Sequence, residues 1–125
     1  MSSEHLGRVL ILEHDYCNRI LFADYLEQCG YSVYPLSDGQ QIFETLEAVQ
    51  PHVLILNLRM PVLDGFTVIS QLRGCSQWQH LSILVVSGYT LAADQQKAFQ
   101  LGADAYLTKP VLPSDLSATV ARLIK

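Results

Sequence analysis

The chain has 125 residues, of which half are hydrophobic and 16% are charged, and its formal net charge is −4. That length suits one domain with a substantial core, which we place over residues 1–125, and the negative charge argues against nucleic acid as a partner. No apolar run approaches the ~20 residues of a membrane span, the N-terminus lacks a signal-peptide pattern and the odd number of cysteines favours a reducing compartment, so we expect a cytoplasmic protein with no membrane contact.

Short apolar runs alternate with amphipathic segments along the chain. The runs predict strands and the segments predict helices, because a fully buried strand is continuously apolar whereas a surface helix repeats apolar residues three or four apart. Gly30, Pro51 and Gly102 supply stops for the first, second and fourth helices. In chain order we predict strands at 8–12, 31–36, 53–56, 83–86 and 103–107, and helices at 18–29, from 37–39 to 50, from 64, at 91–101 and from 113.

Spacing also predicts which side of each helix meets the sheet. Asp64 is expected to cap the third helix, and Pro113 to begin the fifth. The residues expected on the buried sides are Ile20, Leu21, Tyr25 and Leu26 in the first helix, Ile42, Phe43, Leu46 and Val49 in the second, Phe66, Val68, Ile69 and Leu72 in the third, Ala98 and Leu101 in the fourth, and Leu116, Val120 and Leu123 in the fifth.

Continuous apolar strands separated by helices predict a parallel sheet that is covered on both faces. Right-handed crossovers then give a doubly wound α/β sandwich, for which the flavodoxin-like strand order 2-1-3-4-5 is the natural choice. Sites in such sheets lie at the carboxyl ends of the strands, near the switch between the first and third strands. We therefore look for function in the residues that directly follow the strands.

The third predicted strand runs into Asn57, and Met60-Pro61 and Asp64-Gly65 follow it. This run resembles the signature of bacterial response-regulator receiver domains (CheY-like), in which a buried strand ends in a phosphoacceptor aspartate. Matching motifs occur in order along the whole chain. The resemblance implies a CheY-like receiver fold and a role in two-component or phosphorelay signalling.

The resemblance also assigns a position to the polar residues at the strand ends. Glu13 and His14 occupy the place of the family's metal-binding acidic pair, and Asn57 occupies the place of the phosphoacceptor. Ser87 and Lys109 match the residues that contact the phosphoryl group. We also expect Lys109 to pair with Glu13 and to donate to the amide oxygen of Asn57.

The metal site that the resemblance implies is depleted. The family binds Mg²⁺ through carboxylates and a backbone carbonyl, the latter expected here from Arg59. Glu13 is the one carboxylate left at these positions, beside the amide of Asn57 and the imidazole of His14. Mg²⁺ requires charged oxygens in near-octahedral geometry, and imidazole suits transition metals better. We expect no cofactor, with Mg²⁺ binding weak or lost.

A partner surface is expected on the fourth helix, fifth strand and fifth helix, where the family meets its partners. Tyr106 matches the family's switch aromatic. Phe99 lies about 100° from Ala98 on a helical wheel and one turn beyond Gln95. We predict that Gln95, Phe99 and Tyr106 form this surface. It would bind a signalling protein such as a histidine kinase or an output domain, or a second copy of the chain.

Three functions remain open from the sequence. The leading prediction is a pseudo-receiver, not an enzyme, which cannot be phosphorylated and acts by protein contact. The second is an ordinary phosphotransfer receiver inactivated by a change to Asn57. The third is a sensor of a small ligand or metal that uses the strand-end cleft. Restoring an aspartate at position 57 and adding a phosphodonor would separate the first two.

Overall fold

The computed structural model describes residues 6–88 and 91–124, and within them five strands alternate with five helices. The strands are β1 (Arg8–Leu12), β2 (Ser32–Leu36), β3 (Val53–Leu56), β4 (Ser82–Ser87) and β5 (Ala105–Thr108). The helices are α1 (Tyr16–Gln28), α2 (Ile42–Val49), α3 (Gly65–Arg73), α4 (Ala92–Leu101) and α5 (Pro113–Leu123). No helix in the described ranges is long and apolar enough to cross a membrane.

The sheet is parallel throughout, and its strand order is β2-β1-β3-β4-β5, as predicted. Successive side chains along each central strand point alternately into a core on one face of the sheet and a core on the other. Along β1, Leu10 and Leu12 enter the core on one face, while Val9 and Ile11 enter the core on the other. All four are fully buried, and burial of such a side chain contributes about 1.5–3 kcal/mol. This double burial is why β3 is apolar at every position and β1 is apolar at every position after Arg8.

Aspartate side chains fix the start of two helices next to the site. Asp64 precedes α3 and accepts a hydrogen bond from the backbone N–H of Thr67 at 3.0 Å, which confirms the predicted cap. Asp15 plays the same role for α1 by accepting from the N–H of Asn18 at 2.8 Å. Helix α1 therefore begins at Tyr16, two residues before the predicted start, because Asp15 satisfies a free N–H of its first turn.

The predicted buried side of α1 was wrong in part. Ile20 and Leu21 are 38% and 56% exposed, whereas Phe22, Ala23 and Leu26 are buried. Both sets have helical spacing, so periodicity alone did not separate the side that faces the sheet from the side that faces solvent.

One residue of α2 also differs from the prediction. Phe43 is exposed although we expected it on the buried side, because Ile42 and Leu46, four residues apart, already fill the contact with the sheet. In α4, Ala98 is fully buried and Leu101 is half-buried against the core, both on the expected side. The structure also places a 3-10 turn (Gly39–Gln41) before α2, so the helix proper begins later than predicted.

Candidate functional site

A buried carboxylate lies at the centre of the carboxyl edge of the sheet. Glu13 directly follows β1, and its side chain is 2% exposed. Its Oε1 lies 2.7 Å from the Nζ of Lys109, and its Oε2 accepts from the Nδ2 of Asn57 at 2.9 Å and from the backbone N–H of Asp15 at 2.9 Å. Such partners are what makes a buried charge tolerable. The cluster joins the ends of β1, β3 and β5.

The orientation of the Asn57 amide follows from its neighbours. The carboxylate of Glu13 can only accept, so the amide must present its NH₂ group there. Its Oδ1 accepts from the backbone N–H of Arg59 at 3.3 Å.

Two hydrogen-bond partners were predicted for the ammonium of Lys109. Its pairing with Glu13 is confirmed by the distance of 2.7 Å to Oε1. The predicted bond from Lys109 to the Asn57 oxygen is not present; that oxygen accepts from the backbone N–H of Arg59.

Backbone hydrogen bonds that continue beyond the strands hold these residues in place. The N–H of Glu13 donates to Leu36 at 3.0 Å, and that of Asn57 donates to Leu12 at 3.0 Å. The N–H of Lys109 donates to the carbonyl of Ser87 at 2.8 Å. Each site residue thus follows a strand while its own backbone is still paired, which positions its side chain at the edge of the sheet.

A glycine allows the loop after Asn57 to fold back on itself. The N–H of Gly65 donates to the carbonyl of Leu58 at 2.9 Å. A Cβ added to Gly65 would lie 2.7 Å from the Cα of Leu58 and 2.8 Å from the carbonyl oxygen of Asn57. Any side chain there would push against backbone that carries the site.

A cleft of about 250 Å³ opens beside the cluster, and it is lined by Asn57, Arg59, Ser87, Gly88 and Lys109. The two charged residues among them are both cations. Ser87 is buried, with 1% exposed, and a Cβ added to Gly88 would meet nothing within 4 Å. The cleft therefore combines an amide, a hydroxyl and two positive charges with open space beside the backbone.

A second, larger cleft of about 450 Å³ lies near the amino ends of β3 and β4, and His52, Trp78 and His80 are among its lining residues. None of the predicted site residues lines it. The chemistry predicted from the sequence thus lies in the smaller cleft.

The donor set at the strand ends differs from that of a divalent-cation site. The side chain of His14 is exposed, and the residue contributes to this edge through its backbone carbonyl, which accepts a hydrogen bond from Arg19. Glu13 is the one carboxylate in the cluster, and Lys109 already neutralises it. Among residues 6–88 and 91–124, no three His, Cys, Asp or Glu side chains converge. These residues do not fit the charged octahedral oxygen set that Mg²⁺ prefers.

Sequence reasoning missed two contributors to the site. The Nη1 of Arg19 donates to the carbonyls of Glu13 and His14 at 2.9 and 3.0 Å, and so holds the turn that leaves β1. Arg59 was considered for its backbone alone, yet the residue also lines the cleft. Two signals were available in the sequence: Arg19 lies one turn after the capping Asp15, and Arg59 is a cation inside the motif that follows Asn57.

The predicted partner residues lie together on another face. The ring centroids of Phe99 and Tyr106 are 6.4 Å apart, with the planes tilted by 48°. Phe99 is 46% exposed, and Tyr106 is half-buried against the core. Gln95 is half-buried one turn before Phe99. We name these three residues, Gln95, Phe99 and Tyr106, the aromatic face.

Comparison with known proteins identifies the architecture. The family described as "Response regulator receiver domain" matches residues 9–121. The chain belongs to this receiver family. The receiver is similar to Protein RcaC of Microchaete diplosiphon, with 35% identity over 119 residues that cover 95% of this chain and 18% of RcaC. It is also similar to the DNA-binding dual master transcriptional regulator RpaA of Synechocystis sp., with 32% identity over 96% of this chain and 50% of RpaA. The chain thus spans half or less of these relatives.

Solved receiver structures agree with the fold. The chemotaxis protein CheY4 of Vibrio cholerae superposes with a TM-score of 0.87 and 27% identity, covering 94% of this chain and 98% of CheY4. The receiver domain of the sensor histidine kinase PA1611 of Pseudomonas aeruginosa, solved with a magnesium ion in its active-site cleft, has a TM-score of 0.86 and 25% identity, covering 94% of this chain and 97% of that domain. Receiver domains are generally non-catalytic modules of two-component signalling that interact with histidine kinases and output domains.

Proposed function

We propose that this receiver signals through protein contact without being phosphorylated at position 57. The observation that carries the proposal is the chemistry of Asn57 at the end of β3, where the family places its acceptor aspartate. Its side chain donates to Glu13 and accepts from the backbone of Arg59, so both ends of the amide are engaged in holding the loop.

The reaction of a phosphorylatable receiver requires a carboxylate. A carboxylate oxygen attacks phosphorus, the bond between phosphorus and the donor's leaving group breaks, and an acyl phosphate remains. The oxygen of Asn57 carries little charge, and its attack on phosphorus would give an O-phosphorylated amide that carries a positive charge. The chemistry of Asn57 therefore supports the proposal that this receiver is not phosphorylated at position 57.

The direct test is incubation with acetyl phosphate or a phosphoramidate in the presence of Mg²⁺, followed by intact-mass measurement. We expect no mass gain of one phosphoryl group. The His14→Asp/Asn57→Asp double variant, treated in parallel, controls for reagent quality, because it restores both carboxylates. A phosphoryl adduct on the unaltered chain, mapped to Asn57 or a neighbour such as Ser87, would contradict the proposal.

The Asn57→Asp single variant tests the alternative that this chain is an ordinary receiver inactivated at one position. If Asn57→Asp accepts a phosphoryl group despite His14, the remaining site is competent and that alternative gains. We expect instead little phosphorylation until His14→Asp is added. A carboxylate at that position would supply a second charged oxygen for Mg²⁺, which neutralises charge at the phosphorus during transfer.

We further propose that Mg²⁺ binds weakly or not at all. Glu13 alone supplies a carboxylate, and it is already paired with Lys109 and bonded to Asn57. Mg²⁺ would have to displace the ammonium of Lys109, whose Nζ lies 2.7 Å from Oε1 of Glu13, and it would gain only one carboxylate ligand in return. These contacts of Glu13 support weak or absent Mg²⁺ binding at the strand ends.

The aromatic face is the surface that we propose for the partner. A receiver that is not switched by phosphorylation must be recognised in a conformation that already exists. Phe99 exposes a large apolar area beside Tyr106, and aromatic side chains are favoured at the energetic centre of interfaces. The occupant would be a histidine kinase, an output domain or a second copy of this chain.

A further inference from the structure

We infer that the larger cleft, near the amino ends of β3 and β4, binds a small uncharged aromatic molecule that bears a carbonyl acceptor. We call it the amino-end cleft, and His52, Trp78, His80 and Leu123 are among the residues that line it. It lies at the edge of the sheet opposite Asn57, so the inference goes beyond the proposed function and does not depend on it. Its volume of about 450 Å³ falls within the ~300–1,000 Å³ that is usual for small-molecule sites.

Hydrogen bonds hold three walls of the amino-end cleft in place. The first wall follows α2, where Arg8 donates to the carbonyl of Gln50 from Nε at 2.9 Å and from Nη2 at 2.8 Å. The second is a 3-10 turn, where the Nη1 of Arg73 donates to the carbonyl of Trp78 at 2.9 Å. The third is the last residue of α5, whose carbonyl accepts from the hydroxyl of Ser82 at 3.1 Å. The cleft is therefore formed by contacts within the chain and needs no ligand to assemble it.

The lining of the cleft favours a ligand without charge. None of the described residues that line it is Asp, Glu, Lys or Arg. Charged side chains next to the walls are engaged elsewhere, since Glu47 accepts from the side chain of Gln77 and Arg8 donates to backbone carbonyls. An ion that leaves water for such a cleft would find no opposite charge to offset the loss of its hydration.

The hydrogen bond of His52 argues against a metal and supplies a donor instead. Its Nδ1 accepts from the backbone N–H of Arg8 at 3.0 Å. A neutral imidazole that accepts at one nitrogen carries its proton on the other, so Nε2 is an N–H donor without a lone pair for a metal. His80 is then the one imidazole left to coordinate among the described lining residues, which is too few ligands for a transition-metal site.

The indole of Trp78 provides a second donor. Trp78 is 6% exposed, and among the described residues its indole N–H has no acceptor. No fully buried side-chain nitrogen or oxygen of those residues lacks a hydrogen-bond partner, so this N–H must reach the surface. The amino-end cleft is the space that Trp78 lines, and an acceptor on a ligand there would satisfy the N–H.

The apolar part of the lining favours an aromatic ring. Trp78, Leu81 and Leu123 line the cleft, and each of them is buried in the described structure. A ring would remove apolar surface from water against these side chains and could meet the indole in an offset or edge-to-face contact. A carbonyl on that ring would accept from Trp78 and from Nε2 of His52. Benzamide is a simple molecule that combines these properties.

The test is a titration of the isotopically labelled chain with benzamide at neutral pH, observed by NMR. The chain has one tryptophan, so a single indole N–H signal reports on the cleft. We expect that signal to shift saturably, with a Kd on the order of 1 mM, while the side-chain amide of Asn57 at the opposite edge does not respond. Benzoate and benzylamine present a similar ring with a negative or a positive charge, and each should bind about ten-fold more weakly or worse.

Variants make the assignment specific. Trp78→Phe keeps a ring but removes the N–H, and it should weaken benzamide binding about three- to ten-fold, measured by saturation transfer to the ligand. Tyr16→Phe is the matched control, because it removes a donor from an exposed aromatic side chain at the start of α1, and it should leave binding unchanged. His80→Ala changes an exposed lining residue without disturbing the core, and it should weaken binding about two-fold or more.

Three results would overturn the inference. They are an indole shift that does not saturate, binding of benzoate or benzylamine as tight as that of benzamide, and binding that is unchanged in both Trp78→Phe and His80→Ala. None of these results bears on phosphorylation at position 57, which the acetyl phosphate experiment measures separately.

Discussion

The amide of Asn57 donates a hydrogen bond to the carboxylate of Glu13, which an aspartate at position 57 would repel. An aspartate in the same place would set a second carboxylate against Glu13, where an N–H now lies 2.9 Å from Oε2. Two like charges about 4 Å apart repel by about 4 kcal/mol at an effective dielectric constant of about 20. Even without a metal ion, the site is thus free of the repulsion between carboxylates at positions 13 and 57.

The first prediction at this scale concerns Asn57→Asp. In EDTA at neutral pH we expect the free energy of unfolding to fall by about 1–3 kcal/mol, since a bond to a charged group is replaced by repulsion. Urea denaturation measures the change. Asn18→Asp is the matched control, because it adds the same charge in the first turn of α1, where we expect a change within about 0.5 kcal/mol. A variant as stable as the parent chain would argue against the hydrogen bond.

A second prediction concerns Gly65. Its alanine variant would place a Cβ at 2.7–2.8 Å from backbone atoms of Leu58 and Asn57, which cannot move without disturbing the site. We expect a loss of about 1–3 kcal/mol of unfolding free energy. Gly74→Ala is the control, since its Cβ would lie at 3.4 Å from the Ser70 carbonyl and Gly74 has a φ of −77°. Equal stability of the two variants in urea would show that the loop adapts.

The residues of the site were predictable because the motifs carry them in order. The pairing of Lys109 with Glu13 followed from opposite charges at two strand ends. The donor to the Asn57 oxygen did not follow, because the backbone N–H of Arg59 is available in any sequence and leaves no signal in the side chains. Arg19 was missed for a similar reason, as it binds carbonyls rather than another side chain.

At the scale of elements, the helices differ in how well their sequence marks the buried side. The sides of α3 and α5 were largely predicted, and Val68, Leu72, Leu116 and Val120 are buried as expected. Helix α1 is apolar around much of its circumference, so spacing offered two acceptable sides. The contact of the helix with the sheet decides between them, and that contact is a tertiary property.

A third prediction concerns the binding of partners at the aromatic face. We expect Phe99→Ala and Tyr106→Ala each to weaken self-association or kinase binding by about 2 kcal/mol or more, because each removes an anchor of the patch. Sedimentation equilibrium across chain concentrations, and titration with a candidate kinase, measure the effect. Phe43→Ala is the matched control, as Phe43 is 38% exposed on α2.

Association that survives both alanine changes but is lost on altering Glu13, His14 or Asn57 would place the interaction at the strand ends. The aromatic face would then be only the rim of the core against which Tyr106 packs.

For the whole molecule, the sheet order was predicted because continuously apolar strands that alternate with helices indicate a doubly wound parallel sheet. Strands β1 and β3, which are apolar at nearly every position, lie in the covered centre of that sheet. The edge strand β2 exposes Tyr34 and Pro35. The sequence thus contained the layer structure and the position of the site within it. The size of the cleft beside Asn57 depends on several loops at once, so no single segment could predict it.

The effect of Mg²⁺ on global stability is the prediction for this scale. A ligand that binds only the native state adds RT ln(1 + [L]/Kd) to the free energy of unfolding, so a weak site gives almost no shift at millimolar Mg²⁺. We expect the melting temperature of the chain to match that in a monovalent salt of equal ionic strength. The His14→Asp/Asn57→Asp double variant should gain stability with Mg²⁺. A rise of several degrees for the unaltered chain would show a working metal site.

The ion pair of Glu13 with Lys109 also bears on the order in which the chain folds. Its two residues lie near opposite ends of the sequence, and β3 and β4 separate their strands in the sheet. Closing so long a loop costs entropy that only the assembled sheet repays, so we expect the pair to form after the folding transition state. Weakening it with Lys109→Met should then speed unfolding and leave the folding rate nearly unchanged. The ion pair that neutralises the buried carboxylate of Glu13 would thus also set how long the folded chain persists.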